Sequence, residues 1–240
     1  MNDFDQLTAE AAEAFSLQLS PNQLQQLETV ADSLVEWNRK FNLTAITDPH
    51  NVRLKHFLDS LSCHLPLGKH APDNLIDIGT GAGFPGLPLK LIYPDMALTL
   101  VESVAKKTLF LDHIVQELGL DGVQVLNQRA EEVGKDPVHR EQYDCAAARA
   151  VAGLPTLAEY LLPLVKVGGI VLAQKGGSAP EEAEQASAAL ETLGGELDEL
   201  LEVHLPGIDE KRFLVIIKKV KPTPPKYPRR IGIPAKRPLE

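Results

Sequence analysis

Asn74-Leu75-Ile76-Asp77-Ile78-Gly79-Thr80-Gly81-Ala82-Gly83-Phe84-Pro85-Gly86 is the stretch that decides how the rest of the chain is read. Leu75, Ile76 and Ile78 form a short apolar run bounded by turn residues. That is the pattern of a strand buried on both faces of a parallel sheet. Gly79, Gly81 and Gly83 allow a tight turn that brings backbone close to a ligand. Pro85 suits the first turn of a helix, where a missing N–H costs nothing, and Leu87, Leu89, Leu91 and Ile92 continue that helix. Strand, glycine turn and helix in succession make the nucleotide-binding corner of a doubly wound α/β domain.

In the register 81/83/86 the glycines satisfy GxGxxG, so a dinucleotide is formally allowed. Two features argue against it. Asp77 stands two residues before the first glycine, where a carboxylate would oppose a pyrophosphate, and no Lys or Arg lies between Leu75 and Leu89. A cationic ligand without phosphate fits better, and S-adenosylmethionine carries a sulfonium and an ammonium. Glu102 closes the next apolar run, Ala97 to Val101, 23 residues after Gly79. An acid there accepts hydrogen bonds from both hydroxyls of a ribose.

The pattern then alternates. Strands are expected at 75–78, 97–102, 123–126, 143–148, 169–174, 197–204 and 212–220. Helices are expected at 85–93, 105–118, 155–166 and 180–193, with Gly119, Gly153, Gly168-Gly169 and Gly194-Gly195 as punctuation. Seven strands with interleaved helices argue one open, mostly parallel sheet. Pro206-Gly207-Ile208-Asp209-Glu210 is too short for a crossover, so the last two strands should pair antiparallel. The expected fold class is therefore α/β, the Rossmann-like arrangement of class I methyltransferases with a C-terminal antiparallel hairpin, preceded by N-terminal helices.

Upstream, Leu7 to Leu17 reads as a short acidic helix. Ser20-Pro21-Asn22-Gln23 supplies an N-cap, a proline at the first helical position and a capping box; Leu19 and Leu24 form a staple. Asp48-Pro49 caps a further helix whose Leu54, Phe57, Leu58, Leu61 and Leu65 share one face. His56, Asp59 and Ser60 fall on the other, either a solvated face or a polar wall over the ligand pocket; spacing leaves both readings open.

The 240 residues suffice for one large core or a domain with an extension, and 44% hydrophobic with 24% charged residues is ordinary for a globular protein. No apolar run approaches the ~18 residues of a membrane span, and the acidic N-terminus lacks a signal-peptide pattern, so a cytoplasmic location is expected. Cys63 and Cys145 are far apart, without metal-ligand spacing, so no metal is expected. Charge is uneven: residues 211–240 carry ten Lys or Arg against one acid, while the whole chain has net charge −9. A basic end on an acidic body suggests a polyanionic partner. Pro222, Pro224, Pro225, Pro228, Pro234 and Pro238 forbid a helix or central strand there. The expectation is an extended tail along RNA, with Tyr227 stacking on a base between Lys226 and Arg229-Arg230.

At the remaining strand ends, Asn127-Gln128-Arg129-Ala130-Glu131-Glu132 is placed to meet an adenine edge. Arg149 closes the fourth strand and needs a partner, for which Asp77, a cofactor carboxylate and a phosphate are the candidates. The Asn/Asp-Pro-Pro-aromatic motif of exocyclic-amine methylation is missing; that place reads Ala148-Arg149-Ala150-Val151. Cys145 sits in a strand and Cys63 on a helix, so neither is placed as a nucleophile for pyrimidine carbon methylation. What remains is an acceptor with a free lone pair, such as guanine N7, for which holding the acceptor in line is the catalysis.

Together these residues resemble the bacterial small-subunit rRNA guanine-N7 methyltransferase family, once named glucose-inhibited division protein B. The matching pieces are Trp37-Asn38, Phe41-Asn42-Leu43-Thr44, Lys55 to Leu61, Asp77 to Gly86, Arg129 to Glu132, Ala148-Arg149-Ala150, Lys175-Gly176, Arg212 and Lys226 to Arg230. The resemblance implies methyl transfer from S-adenosylmethionine to N7 of guanine 527 of 16S rRNA. It implies that Gly79, Phe84, Ala130, Glu131 and Arg149 contact the cofactor. Asp77, Gly81, Gly83 and Glu102 complete the expected cofactor set, with Arg149 ordering the pocket as the catalytic candidate. Arg39, Lys40, His56, Lys175, Arg212, Lys226, Tyr227, Arg229 and Arg230 are the expected RNA contacts. The expected parts are a helical extension (1–70), a methyltransferase domain (71–220) and a basic tail (221–240), acting as a monomer. A small-molecule methyltransferase and a non-catalytic rRNA-binding assembly factor are the alternative readings.

Overall fold

The computed structural model describes residues 3–68 and 72–239. Two helices lead: α1 (Asp3–Phe15), which buries Leu7, Ala11 and Phe15, and α2 (Pro21–Phe41). The capping box of α2 is formed: the Ser20 hydroxyl accepts from Gln23 N and Gln23 Oε1 accepts from Ser20 N at 2.9 Å. Asn42 ends the helix in the left-handed region at φ 49°, a conformation an asparagine tolerates.

The next helical run is not uniform. It comprises α3 (Pro49–Val52), a π-helical turn over Arg53–Leu58, α4 (Asp59–Leu61) and α5 (His64–Leu67). Its expected polar face is not solvated: His56, Asp59 and Ser60 are buried along with Leu54, Phe57 and Leu58. A helix buried all round is held between other elements, and a π turn often marks a functional site. The expected boundary between extension and domain, at residue 70, falls among residues 69–71, outside the described residues.

The sheet follows, with β1 (Asn74–Ile78), α6 (Gly86–Ile92), β2 (Ala97–Val101), α7 (Ala105–Glu117), β3 (Val123–Leu126), α8 (Ala130–Val133), β4 (Tyr143–Arg149), α9 (Leu154–Leu161), β5 (Val165–Lys175), α10 (Ala179–Gln185), α11 (Ser187–Leu193), β6 (Gly195–Val203) and β7 (Arg212–Lys219). The strand order is β3-β2-β1-β4-β5-β7-β6. β1 pairs in parallel with β2 on one side and β4 on the other. Chain connections leave β1 in opposite directions, which opens a cleft outside its carboxyl end. The last two strands are antiparallel, with β7 lodged between β5 and β6. β6 is left as an edge, and its exposed Glu196, Asp198, Glu199 and Glu202 discourage further pairing.

Several boundaries differ from expectation: α1 begins at Asp3 rather than Leu7, and the run expected as one helix at 180–193 is divided into α10 and α11. α9 stops at Leu161 rather than 166 because Pro163 cannot continue a helix. β5 starts at Val165 and runs through Gly168-Gly169, which the sequence marked as a break. A Cβ on Gly169 would come 2.5 Å from the Asp144 carbonyl oxygen, so a glycine lets β5 approach β4 there.

One core packs α1, α2, the π turn, α6 and α7 against one sheet face, and a second packs α9, α10 and α11 against the other. The segment from Pro222 is folded back on this second side and is not an extended tail. Tyr227 and Pro228 are buried, and Ile233–Lys236 forms a short helix, α12, in which Pro234 sits in the first turn, the one helical place a proline tolerates. No helix among the described residues is long and apolar enough to cross a membrane.

Candidate active site

The glycine turn is tied to the neighbouring strand at both edges. Gly79 N and Thr80 N donate to Val101 O at 2.9 and 3.2 Å. Gly81 N donates to Glu102 Oε2 at 3.2 Å, and Val104 N to Glu102 Oε1 at 2.8 Å. Glu102 thus stands at the N-terminus of α7, where a carboxylate is favoured, with lone pairs left for further donors. Gly79, Gly81 and Gly83 all have positive φ. A Cβ on Gly79 would lie 2.7 Å from Val151 Cγ2, and one on Gly83 2.3 Å from Leu87 Cδ1. At Gly81 the one neighbour within 4 Å among the described residues would be Lys107 Nζ at 3.9 Å, so its backbone faces open space.

Asp77 is placed differently from expectation. It is fully buried and does not line the cleft. Its Oδ2 accepts from the Thr80 hydroxyl at 2.6 Å and from Gly86 N at 2.8 Å, which fastens the turn to the start of α6. Oδ1 is buried without a partner. Burial pushes its pKa up to about 6, against the hydrogen bonds from Thr80 and Gly86. Asp77 therefore shapes the turn from beneath. The turn also has a cation that no local window contains: Lys107 Nζ, from α7, lies 3.8 Å from Glu102 Oε2.

A cavity of about 510 Å³ opens beside this turn, between the carboxyl ends of β1, β4 and β5 and the π turn. Phe84 lines it, stacked on the His56 ring at 4.7 Å and edge-on to Phe57 at 5.3 Å. The partner of Arg149 is Asp59, at 2.9 Å, and not Asp77. Arg149 Nη1 also donates to Lys55 O at 3.0 Å, and its guanidinium sits 5.3 Å from the Phe84 ring centre. Arg149 therefore stitches the π turn onto the end of β4 while lining the cavity.

His56 is the polar wall that the sequence left undecided, and it is not a phosphate-binding cation. Nε2 meets the Thr44 hydroxyl at 2.9 Å and Nδ1 meets Arg149 at 3.2 Å. Burial and the Arg149 charge lower its pKa to about 3, so it is neutral at physiological pH. Lys175 is likewise occupied, donating to Ala152 O at 2.8 Å and pairing with Glu182 at 2.6 Å. Arg212 lies 3.9 Å from Asp59. Cys63 and Cys145 are buried, and burial pushes both thiols up, so neither is a ready nucleophile.

On the other side of Gly79 a second chamber of about 380 Å³ is lined by Ile78, Val101, Gln128, Ala130 and Glu131, among others. Glu131 is buried, and its Oε1 accepts from Gly232 N at 2.8 Å. Of the remaining expected RNA contacts, Arg39, Lys40, Lys226 and Arg230 are exposed. Arg229 is not a free cation: it pairs with the fully buried Glu159 at 2.6 Å. Tyr227 is buried in the second core and cannot stack on a base.

Two cavity residues had no local signal. Lys107 arrives from α7 and Gln174 from β5, while Thr44, in the loop after α2, was legible only within the Phe41 to Thr44 piece. Gln174 Nε2 donates to Asp59 O at 2.7 Å while its Oε1 is buried without a partner. Lys55, half-exposed at the cavity rim and 3.4 Å from Glu210, was legible only as part of a familiar motif.

The architecture is shared with solved structures of low sequence identity. It resembles a SAM-dependent methyltransferase from Aquifex aeolicus, with TM-score 0.53, 19% identity, and coverage of 73% of this chain and 96% of that one. It also resembles TrmN from Thermus thermophilus, with TM-score 0.52, 17% identity, and coverage of 70% and 53%. Sheet order, glycine turn and acid after β2 give this chain the fold of the class I S-adenosylmethionine-dependent methyltransferases, and S-adenosylmethionine is the cofactor. The open backbone at Gly81, the Glu102 lone pairs and the paired chambers fit it.

The family follows from sequence over nearly the full length. The family model described as rRNA small subunit methyltransferase G matches residues 23–212, and the chain belongs to that family. The Ribosomal RNA small subunit methyltransferase G of Roseiflexus sp. (strain RS-1) is 52% identical over 95% of this chain and 97% of its own. That of Desulforamulus reducens is 46% identical with both chains fully covered.

Proposed function

We propose that this protein transfers a methyl group from S-adenosylmethionine to N7 of guanine 527 in 16S rRNA. The observation that carries the reading is the state of the titratable groups around the larger cavity. His56 is neutral with both ring nitrogens engaged, Asp59 is paired with Arg149, and Glu182 with Lys175. Such a site offers neither a free general base nor a nucleophile. Guanine N7 needs neither, because it carries a lone pair and no proton. Bound S-adenosylmethionine supplies an electrophilic methyl on a sulfonium. The chain's own residues hold two reactants in line and exclude water, which by itself is worth several powers of ten in rate.

In this reading Gly79, Gly81, Gly83, Phe84, Glu102, Ala130 and Glu131 surround the cofactor, with Asp77 supporting the turn. Arg149 is a positioning residue that holds the Phe84–His56 wall. Arg39, Lys40, Arg212, Lys226 and Arg230 supply charge toward RNA. The protein works as a cytoplasmic monomer in which the helices of 1–70 and the segment 221–240 flank the domain of 71–220.

The test is a labelled-methyl assay on small subunits and on rRNA lacking the modification, with aniline scission and primer extension to map the product. A single cleavage at guanine 527 is expected. Label at another position, or transfer only to small molecules, overturns the reading.

A further inference from the structure

We propose that residues 231–239 form a wall of the chamber that receives the adenine base of S-adenosylmethionine, and that the basic, proline-rich stretch before them is its anchor. This rests on the cofactor reading above.

The anchor is built from part-buried polar contacts. Arg140 donates to Tyr227 O at 2.7 Å, Thr223 O at 2.8 Å and Gly134 O at 3.0 Å. Arg229 meets Glu159 through its backbone N at 2.7 Å, Nε at 3.0 Å and Nη2 at 2.6 Å. Glu159 is fully buried, so releasing the segment would leave a carboxylate in the core without its guanidinium. Pro228 packs on Gly134, where a Cβ would come 2.9 Å from the proline ring.

Beyond this anchor the chain turns over the chamber. Gly232 has φ 76°, a conformation open to glycine, and its N–H goes to Glu131. The Thr156 hydroxyl donates to Pro234 O at 3.1 Å and fixes α12. Ile231, Gly232 and Ala235 then face Ile78, Val101 and Ala130 across the space of about 380 Å³. Apolar walls with a few polar edge groups, here the Gln128 amide and backbone, suit a flat purine. Ile231 is 55% exposed at this rim, and a base seated there would cover it. Glu131, expected to meet adenine, thus also holds the wall that encloses it.

The test uses two variants and two non-reactive probes. One variant stops after Arg230, which keeps Tyr227, Pro228 and the Arg229–Glu159 pair; the other is Ile231→Ala in the full chain. S-adenosylhomocysteine and 5′-methylthioadenosine, which keeps base and ribose but lacks the amino acid, are titrated calorimetrically. The Kd for both probes should rise by about tenfold in the shortened chain and about threefold in Ile231→Ala. Ile231→Ala carries the test alone if the shortened chain does not fold. Unchanged Kd values, or a loss confined to S-adenosylhomocysteine, overturn the proposal. If the wild type binds neither probe, the cofactor reading fails and the proposal with it.

Discussion

Replacing Gly79 with alanine tests how the turn and the loop after β4 are fitted together. The substitution adds one Cβ at φ 67°, 2.7 Å from Val151 Cγ2 and 3.5 Å from Cγ1. An L-residue in that region costs about 1–2 kcal/mol. Forcing a methyl into occupied space adds about 1–3 kcal/mol. Gly79→Ala should therefore lose about 2–5 kcal/mol, a large part of the ~5–15 kcal/mol that holds a domain together. Val151 is 36% exposed, so Val151→Ala alone should cost below about 1 kcal/mol. In the double variant the steric part vanishes and the backbone part stays. Urea unfolding of all four proteins should give a favourable coupling of about 1–3 kcal/mol. Because Gly79 and Val151 line the smaller chamber, the Kd for S-adenosylhomocysteine should worsen in Gly79→Ala and partly recover in the double variant. Additive energies, or a Gly79→Ala protein within about 0.5 kcal/mol of wild type, would refute the argument.

Asp77→Asn should change the pH dependence of stability in a defined direction. Burial raises this acid's pKa from the ordinary 3.8 to about 6, so the folded state holds a proton that the unfolded state releases between those values. Its contribution must then fall as pH rises from about 4 to about 6, by up to about 3 kcal/mol, and stay level above. The wild-type minus variant difference in unfolding free energy should show that fall, and a flat difference across the window would contradict it. Asp59→Asn should cost about 2–4 kcal/mol in urea unfolding, because Arg149 and Arg212 lose their shared carboxylate in a mostly buried setting. Arg149→Lys should not restore wild-type behaviour, since one ammonium cannot reach Lys55 O, Asp59 and His56 together; full stability in that variant would show the fork to be dispensable.

The strand and helix order was readable because each element has its own local period and its own punctuation. The places where local reading failed share a cause. Pro163 sits inside an apolar run that masks its effect, and Gly168-Gly169 reads as a break although β4 comes so close that Gly169 has no room for a side chain. The role of the polar face running from the π turn into α4 was hidden because its residues meet partners elsewhere in the chain: Thr44 for His56, Arg149 for Asp59 and Gln174 for the Asp59 carbonyl. The basic segment misled most. Its prolines do exclude a central strand, but Arg229 and Tyr227 serve the fold, since a buried glutamate and an apolar core wait for them.

By itself the order of residues determined the parallel sheet, the glycine turn after its first strand and the acid after its second, because those features depend on spacing within one strand or one turn. Only the folded chain decided which charges are free. Lys107 reaches the turn from the next helix, Arg149 goes to Asp59, His56 is held neutral, and the chain near Gly232 closes on Glu131. Ionisation and hydrogen bonding depend on distance in space and on access to water, and neither is written in the spacing of a sequence.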